Sequence, residues 1–94
     1  MKVKIRAFAN LADLVGRGAV ELELPEGATV EDALRALFDR FGKALEFMLT
    51  DGRGRLADFV KVFLNGRDID FLSGLKTPLK DGDELYIFPP VGGG

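Results

Sequence analysis

Strict alternation at both ends of the chain, with one amphipathic helix between, limits what this sequence can fold into. Met1, Val3, Ile5 and Ala7 alternate with Lys2, Lys4 and Arg6. Val20, Leu22 and Leu24 alternate with Glu21 and Glu23. Period-2 patterning of this kind gives a strand with one buried face. Val30, Ala33, Leu34, Leu37 and Phe41 then recur at i, i+3, i+4, i+7 and i+11, with Phe38 beside them. That spacing predicts a helix of about three turns over 30–41 with one apolar stripe. Beyond it, Phe59–Leu64 and Glu84–Phe88 read as strands. A single helix stripe must bury itself against a sheet. The class expected is α+β, a mixed sheet with the helix on one face and the first and last strands parallel at its centre.

Local signals place the boundaries. Thr29 is the expected N-cap, and Glu31 and Asp32 fall where the helix dipole favours acids. Gly42 ends the helix, and Leu45–Leu49 add a further turn or two. Leu11–Gly16 has short helical spacing closed by glycine, and Asp51-Gly52-Arg53-Gly54 is a loop. Asn65-Gly66 is the preferred pair of a type I′ hairpin turn, so a short strand around Asp68-Ile69 folds back on 59–64. Residues 71–79 read as irregular, and Asp81-Gly82 as a turn. Leu34, Leu37, Phe41, Val62, Leu64, Leu85 and Ile87 are expected to be buried. Residues 1–88 form one domain in this reading, and 89–94 an extended tail.

Composition narrows the chemistry. The chain has neither His nor Cys, and Ser73 is its one serine. Thiol nucleophiles, thiolate metal sites and Ser-His or Cys-His relays are therefore excluded. Asp68-Ile69-Asp70 and Asp81-Gly82-Asp83-Glu84 lack calcium-loop spacing and read as turns, so no metal site is expected. Gly52 and Gly54 lack the third glycine of a dinucleotide fingerprint. Thirteen basic residues face fifteen acidic ones, with no charged tail, which argues against nucleic-acid and membrane partners. Met1–Arg6 has no secretory apolar core. A cytoplasmic, non-catalytic protein is expected.

Two features remain to carry function. Alternation sends Val60, Val62 and Leu64 to the core and Phe59, Lys61 and Phe63 the other way. Tyr86 and Phe88 face away from Leu85 and Ile87, and Phe8 shares its side with Lys4 and Arg6. Phe8, Phe63, Tyr86 and Phe88 thus gather on the uncovered face as a docking patch rimmed by cations. The second feature is the ending Phe88-Pro89-Pro90-Val91-Gly92-Gly93-Gly94. Two prolines cannot continue a ladder and hold the chain extended. Glycines thread a channel that any Cβ would block. Six extended residues span about 20 Å, enough to carry the α-carboxylate of Gly94 into a partner's active site.

This tail, preceded by Pro78-Leu79-Lys80-Asp81-Gly82-Asp83-Glu84, resembles the small sulfur-carrying subunit of molybdopterin synthase. That is the MoaD-like branch of the ubiquitin-like sulfur carriers. The hairpin 59–69 and the segment 71–75 look like the longer form common in archaea. Gly92 departs from the family pattern, where alanine or threonine is more usual before the final pair. The resemblance implies a β-grasp fold and a carrier with no cofactor of its own. An adenylating enzyme similar to the ubiquitin activators would use ATP–Mg on Gly94. Sulfur would then replace AMP, and the thiocarboxylate would serve the large synthase subunit. Conjugation of Gly94 to lysines of target proteins is the alternative. Thiazole-forming sulfur carriage and a plain interaction module using the sheet face stand behind these two.

Overall fold

The computed structural model describes residues 1–89. Strand β1 (Lys2–Ala7) forms a hairpin with β2 (Val20–Glu23), pairing Val3 with Leu22 and Ile5 with Val20. Their connection holds a 3-10 turn and the four-residue helix α1 (Ala12–Val15), closed at Gly16 with φ +107. Helices α2 (Val30–Phe41) and α3 (Lys43–Leu49) follow. Then come β3 (Lys61–Leu64), β4 (Arg67–Asp68) and β5 (Glu84–Phe88). The sheet order is β2-β1-β5-β3-β4, with β5 parallel to β1 and antiparallel to β3. The expected parallel pairing of first and last strands is observed.

The helix α2 forms where its cap allows. The Thr29 N–H donates to Asp32 Oδ2 at 2.9 Å, and the Asp32 N–H donates to Thr29 Oγ1 at 3.4 Å. This reciprocal capping box satisfies two donors that the first turn leaves unpaired. Gly42, with φ +102, ends α2 and starts α3. Val30, Ala33, Leu34 and Leu37 are buried on the inner stripe of α2. They belong to the same core as Val3, Ile5, Val62, Leu85 and Ile87 from three strands. Burying each such aliphatic side chain contributes about 1.5–3 kcal/mol. The segment after β4 is laced to the start of α2: the Val30 N–H donates to Thr77 O at 2.9 Å, and the Leu79 N–H to Ala28 O at 2.9 Å.

Four expectations need correction. Phe41 is half-buried rather than buried. It ends the last turn of α2, and the Arg40 guanidinium lies 5.4 Å from its ring. The third strand begins at Lys61, not Phe59, because Phe59 has φ +69 and breaks the extended run. Ile69 is not in a strand; it opens a 3-10 turn, Ile69–Phe71, and its side chain is buried. Pro89, read as the first tail residue, is buried. A proline ring stops a ladder because it has no N–H, but its apolar carbons still pack.

Candidate functional site: the aromatic end of the open sheet face

The face of the sheet away from α2 divides along the strands. Register aligns Lys4 with Glu84, Arg6 with Tyr86, and Phe63 with Tyr86 on the other side. The Phe8 N–H donates to Ile87 O at 3.1 Å, which prolongs the β1–β5 ladder by one residue. That bond sets Phe8 beside Phe88. Their rings stack with centroids 4.6 Å apart and planes 7° from parallel. Phe63 meets Phe88 edge-on at 5.6 Å and 90°, and Tyr86 meets Phe8 at 5.8 Å and 71°. Each such pair adds about 0.5–1.5 kcal/mol beyond area burial. All four rings are half-buried. They shield one another without entering the core. The patch predicted from alternation is assembled, and it stands where β5 ends.

Charged groups border it. The Arg6 guanidinium lies 5.8 Å from the Phe8 ring centre. Lys61, whose Cα is opposite Phe88, has its Nζ 3.3 Å from Asp70 Oδ2 and 3.6 Å from Asp68 Oδ2. The hydrogen bond to Asp70, then the charges of Asp68 and Asp70, raise the Lys61 pKa above its ordinary value. The Tyr86 hydroxyl donates to Glu84 Oε1 at 2.9 Å, which raises its pKa too. Lys61 was placed on this face by alternation, whereas Asp68 and Asp70 were read as turn and short-strand residues and not as its partners. The type I′ turn at Asn65-Gly66 carries the signal for this pairing, since it fixes Asp68 opposite Phe63 and so diagonal to Lys61.

The acidic turn before β5 is structural. Asp81 Oδ1 accepts from the Lys2 N–H at 2.7 Å. Asp83 accepts from Asn65 Nδ2 at 2.9 Å and from the Lys80 N–H at 2.8 Å. Asn65 Oδ1 accepts from the Glu84 N–H at 3.0 Å. These bonds pin the start of β5 between β1 and β3, and so fix where its far end delivers the chain. Among the described residues no group of three or more His, Cys, Asp or Glu is arranged to hold a metal. No helix among them is long and apolar enough to cross a membrane. Pro90, Val91, Gly92, Gly93 and Gly94, the rest of the predicted tail site, lie outside the described residues.

A mixed sheet closed by a central parallel pair, wrapped on one helix and bearing its patch at the end of the last strand, is the β-grasp, ubiquitin-like class. The crystal structure of SAMP1 from Haloferax volcanii has this fold with a TM-score of 0.86, at 36% identity over 100% of both chains. The ThiS family matches residues 5–94, and the chain belongs to it, a family of small ubiquitin-like sulfur carriers. Small archaeal modifier protein 3 of Haloferax volcanii is 35% identical over 94 residues, covering 100% of each. The molybdopterin synthase sulfur carrier subunit of Escherichia coli is 34% identical over 94 residues, 98% of this chain and 99% of that one.

Proposed function

We propose that this chain carries sulfur as a thiocarboxylate on Gly94 and gives it to a pterin precursor in the large subunit of molybdopterin synthase. A carboxylate is a poor electrophile, so the tail must first be activated. The Gly94 carboxylate attacks the α-phosphorus of ATP in an adenylating enzyme, and pyrophosphate leaves. A sulfur nucleophile then attacks the acyl carbon. The C–S bond forms as the bond to the AMP oxygen breaks. ATP, Mg and the catalytic side chains belong to the partners, in keeping with a chain that has neither His nor Cys. The observation that carries the reading is the Phe8–Phe88 stack next to Pro89. A partner seated on Phe8, Phe63 and Phe88 receives the tail as it leaves the sheet. The Escherichia coli relative, named as a sulfur carrier subunit of that synthase, supports the same assignment.

Alanine added after Gly94 tests the carrier mechanism. It moves the carboxylate about 3.5 Å, and a displacement of 1 Å from productive geometry costs about a hundredfold in rate. Pyrophosphate exchange with the adenylating enzyme is expected to fall below detection while circular dichroism stays unchanged. Full activity, with no trimming by intact mass, would overturn the mechanism.

A second reading is favoured by one observation: the full-length Haloferax relative is named a modifier protein. In that reading the same adenylated Gly94 is joined to lysines of target proteins. Intact mass from native cells separates the two. Exchange of one oxygen for sulfur marks the thiocarboxylate, and high-mass lysine adducts mark conjugation.

A further inference from the structure

A hollow of about 480 Å³ lies between the β3–β4 hairpin and the segment that leads into β5. Leu64, Leu72 and Pro78 give it apolar walls, and Arg67 and Lys80 line it with two cations. Sites for small ligands span about 300–1,000 Å³, so there is room here for two side chains. Arg67 is the cross-strand partner of Leu64, which is buried on the covered side of the sheet. Directly opposed partners share a face, so Arg67 lies on that side too, away from Phe63. The hollow also borders Asp83, just before β5, whereas Phe88 ends that strand. Five residues at about 3.3 Å each separate it from the aromatic end by about 16 Å.

The charges in this hollow are not spent inside the fold. Among the described residues neither Arg67 nor Lys80 makes an ion pair. Asp83 is engaged elsewhere: its Oδ1 accepts from Asn65 Nδ2 at 2.9 Å and its Oδ2 from the Lys80 backbone N–H at 2.8 Å. The hollow between α2 and α3 differs, because its Arg35 and Arg55 are paired with Glu31 and Asp51. Two cations and one carboxylate leave the lining with one net positive charge. A single carboxylate matches that, whereas a dianionic phosphate would also face Asp83. The walls are held in place. Thr77 is buried, and its Oγ1 accepts from the Ser73 N–H at 3.0 Å and donates to Gly74 O at 2.7 Å. The Asn65 N–H donates to Glu84 O at 2.9 Å. An occupant thus meets a preformed surface, which reduces the entropy lost on binding.

Arg67 and Lys80 are exposed, and an exposed ion pair contributes little alone. Leu72 and Pro78 are exposed as well, so the occupant must bring apolar atoms together with its charge. In an extended segment, side chains two residues apart project the same way, about 7 Å from each other. We infer that this hollow takes an extended acidic segment of a partner protein, with a Glu or Asp two positions from an aliphatic residue. The carboxylate lies between Arg67 and Lys80, and the aliphatic side chain covers Leu72 and Pro78. The site is at the other end of β5 from Phe88 and Pro89, so it stands independently of the tail reading. A partner held here leaves the aromatic end free.

The test titrates the full, isotope-labelled chain with the peptide acetyl-Leu-Ser-Glu-amide and follows backbone amide shifts by NMR. Shifts should saturate by about 10 mM peptide and be largest at Asn65, Arg67, Leu72, Thr77 and Lys80. Arg67→Gln and Lys80→Gln should each weaken the Kd about threefold, the scale of one exposed ion pair, and the double variant about tenfold. Their urea midpoints should match wild type, because neither cation is paired within the fold. Replacing the peptide's leucine by glycine should weaken binding too. Raising NaCl from about 0.05 M to about 0.5 M should do the same. An unchanged Kd in the double variant, or for acetyl-Leu-Ser-Gln-amide, overturns the carboxylate site. Shifts centred on Phe8, Phe63 and Phe88 overturn its location. Acetate or inorganic phosphate binding as tightly as the peptide overturns the partner segment and leaves a free-anion site. No shift at about 10 mM peptide overturns the whole inference.

Discussion

The two faces of the sheet use the same strands for opposite ends. On the covered face, Ile5, Leu85 and Ile87 are fully buried against α2 and its neighbours. On the open face, one residue along each strand, Arg6, Tyr86 and Phe88 are exposed or half-buried. Aliphatic residues fill the first, and aromatic and charged residues the second. A folding core needs dense packing at fixed volume, which branched aliphatics supply. A docking surface needs rings that gain much area when a partner arrives, with charges that set orientation. The comparison teaches that the side proposed for docking is the one the aliphatic core does not use.

The largest expected effect lies on the covered face. Leu37 is fully buried at the centre of α2, so Leu37→Ala should cost about 2–5 kcal/mol in urea unfolding. The folded fraction should still bind the adenylating enzyme with wild-type Kd. A loss below about 0.5 kcal/mol would mean the helix does not depend on that packing.

The open face should answer in the reverse sense. Phe88→Ala removes a ring stacked on Phe8 and met by Phe63. Complex formation should weaken by about 2 kcal/mol or more. Unfolding should lose less than Leu37→Ala does, because the ring is only half-buried. Were stability to fall by as much as in the Leu37 variant, the aromatic end would be core and the contrast between faces would fail.

The smallest effect concerns the cap that orients α2. Hydrogen bonds from the Thr29 backbone and then its side chain hold the Asp32 carboxyl below its ordinary pKa. A folded-state pKa that is lowered contributes stability above the unfolded value, about 3.9 for aspartate. That contribution fades as pH falls below it, through the folded pKa. Urea midpoints should therefore drop as pH falls below about 4, and Asp32→Asn should flatten part of the drop. Unchanged curvature in the variant would show that other carboxylates set the acid limb.

The sequence by itself determined the α+β class, the central parallel pair, the helix over 30–41 and the type I′ turn at Asn65-Gly66. It also determined which way Phe8, Phe63, Tyr86 and Phe88 face. Each of these rests on period or on local turn chemistry, which neighbouring residues dictate. Alternation assigned faces correctly as far as the strands run, and Phe59 is exposed as expected, but its positive φ keeps it out of β3 without leaving a mark in the pattern. The burial of Pro89 and the half-exposure of Phe41 depend on what packs beside them. Tertiary structure alone decided the rest. The stacking of Phe8 on Phe88 needs a hydrogen bond from Phe8 to Ile87, nearly the whole chain away. Asp83 reaches Asn65 over a separation of eighteen residues. Such contacts join positions that are remote along the chain, and no local periodicity encodes them.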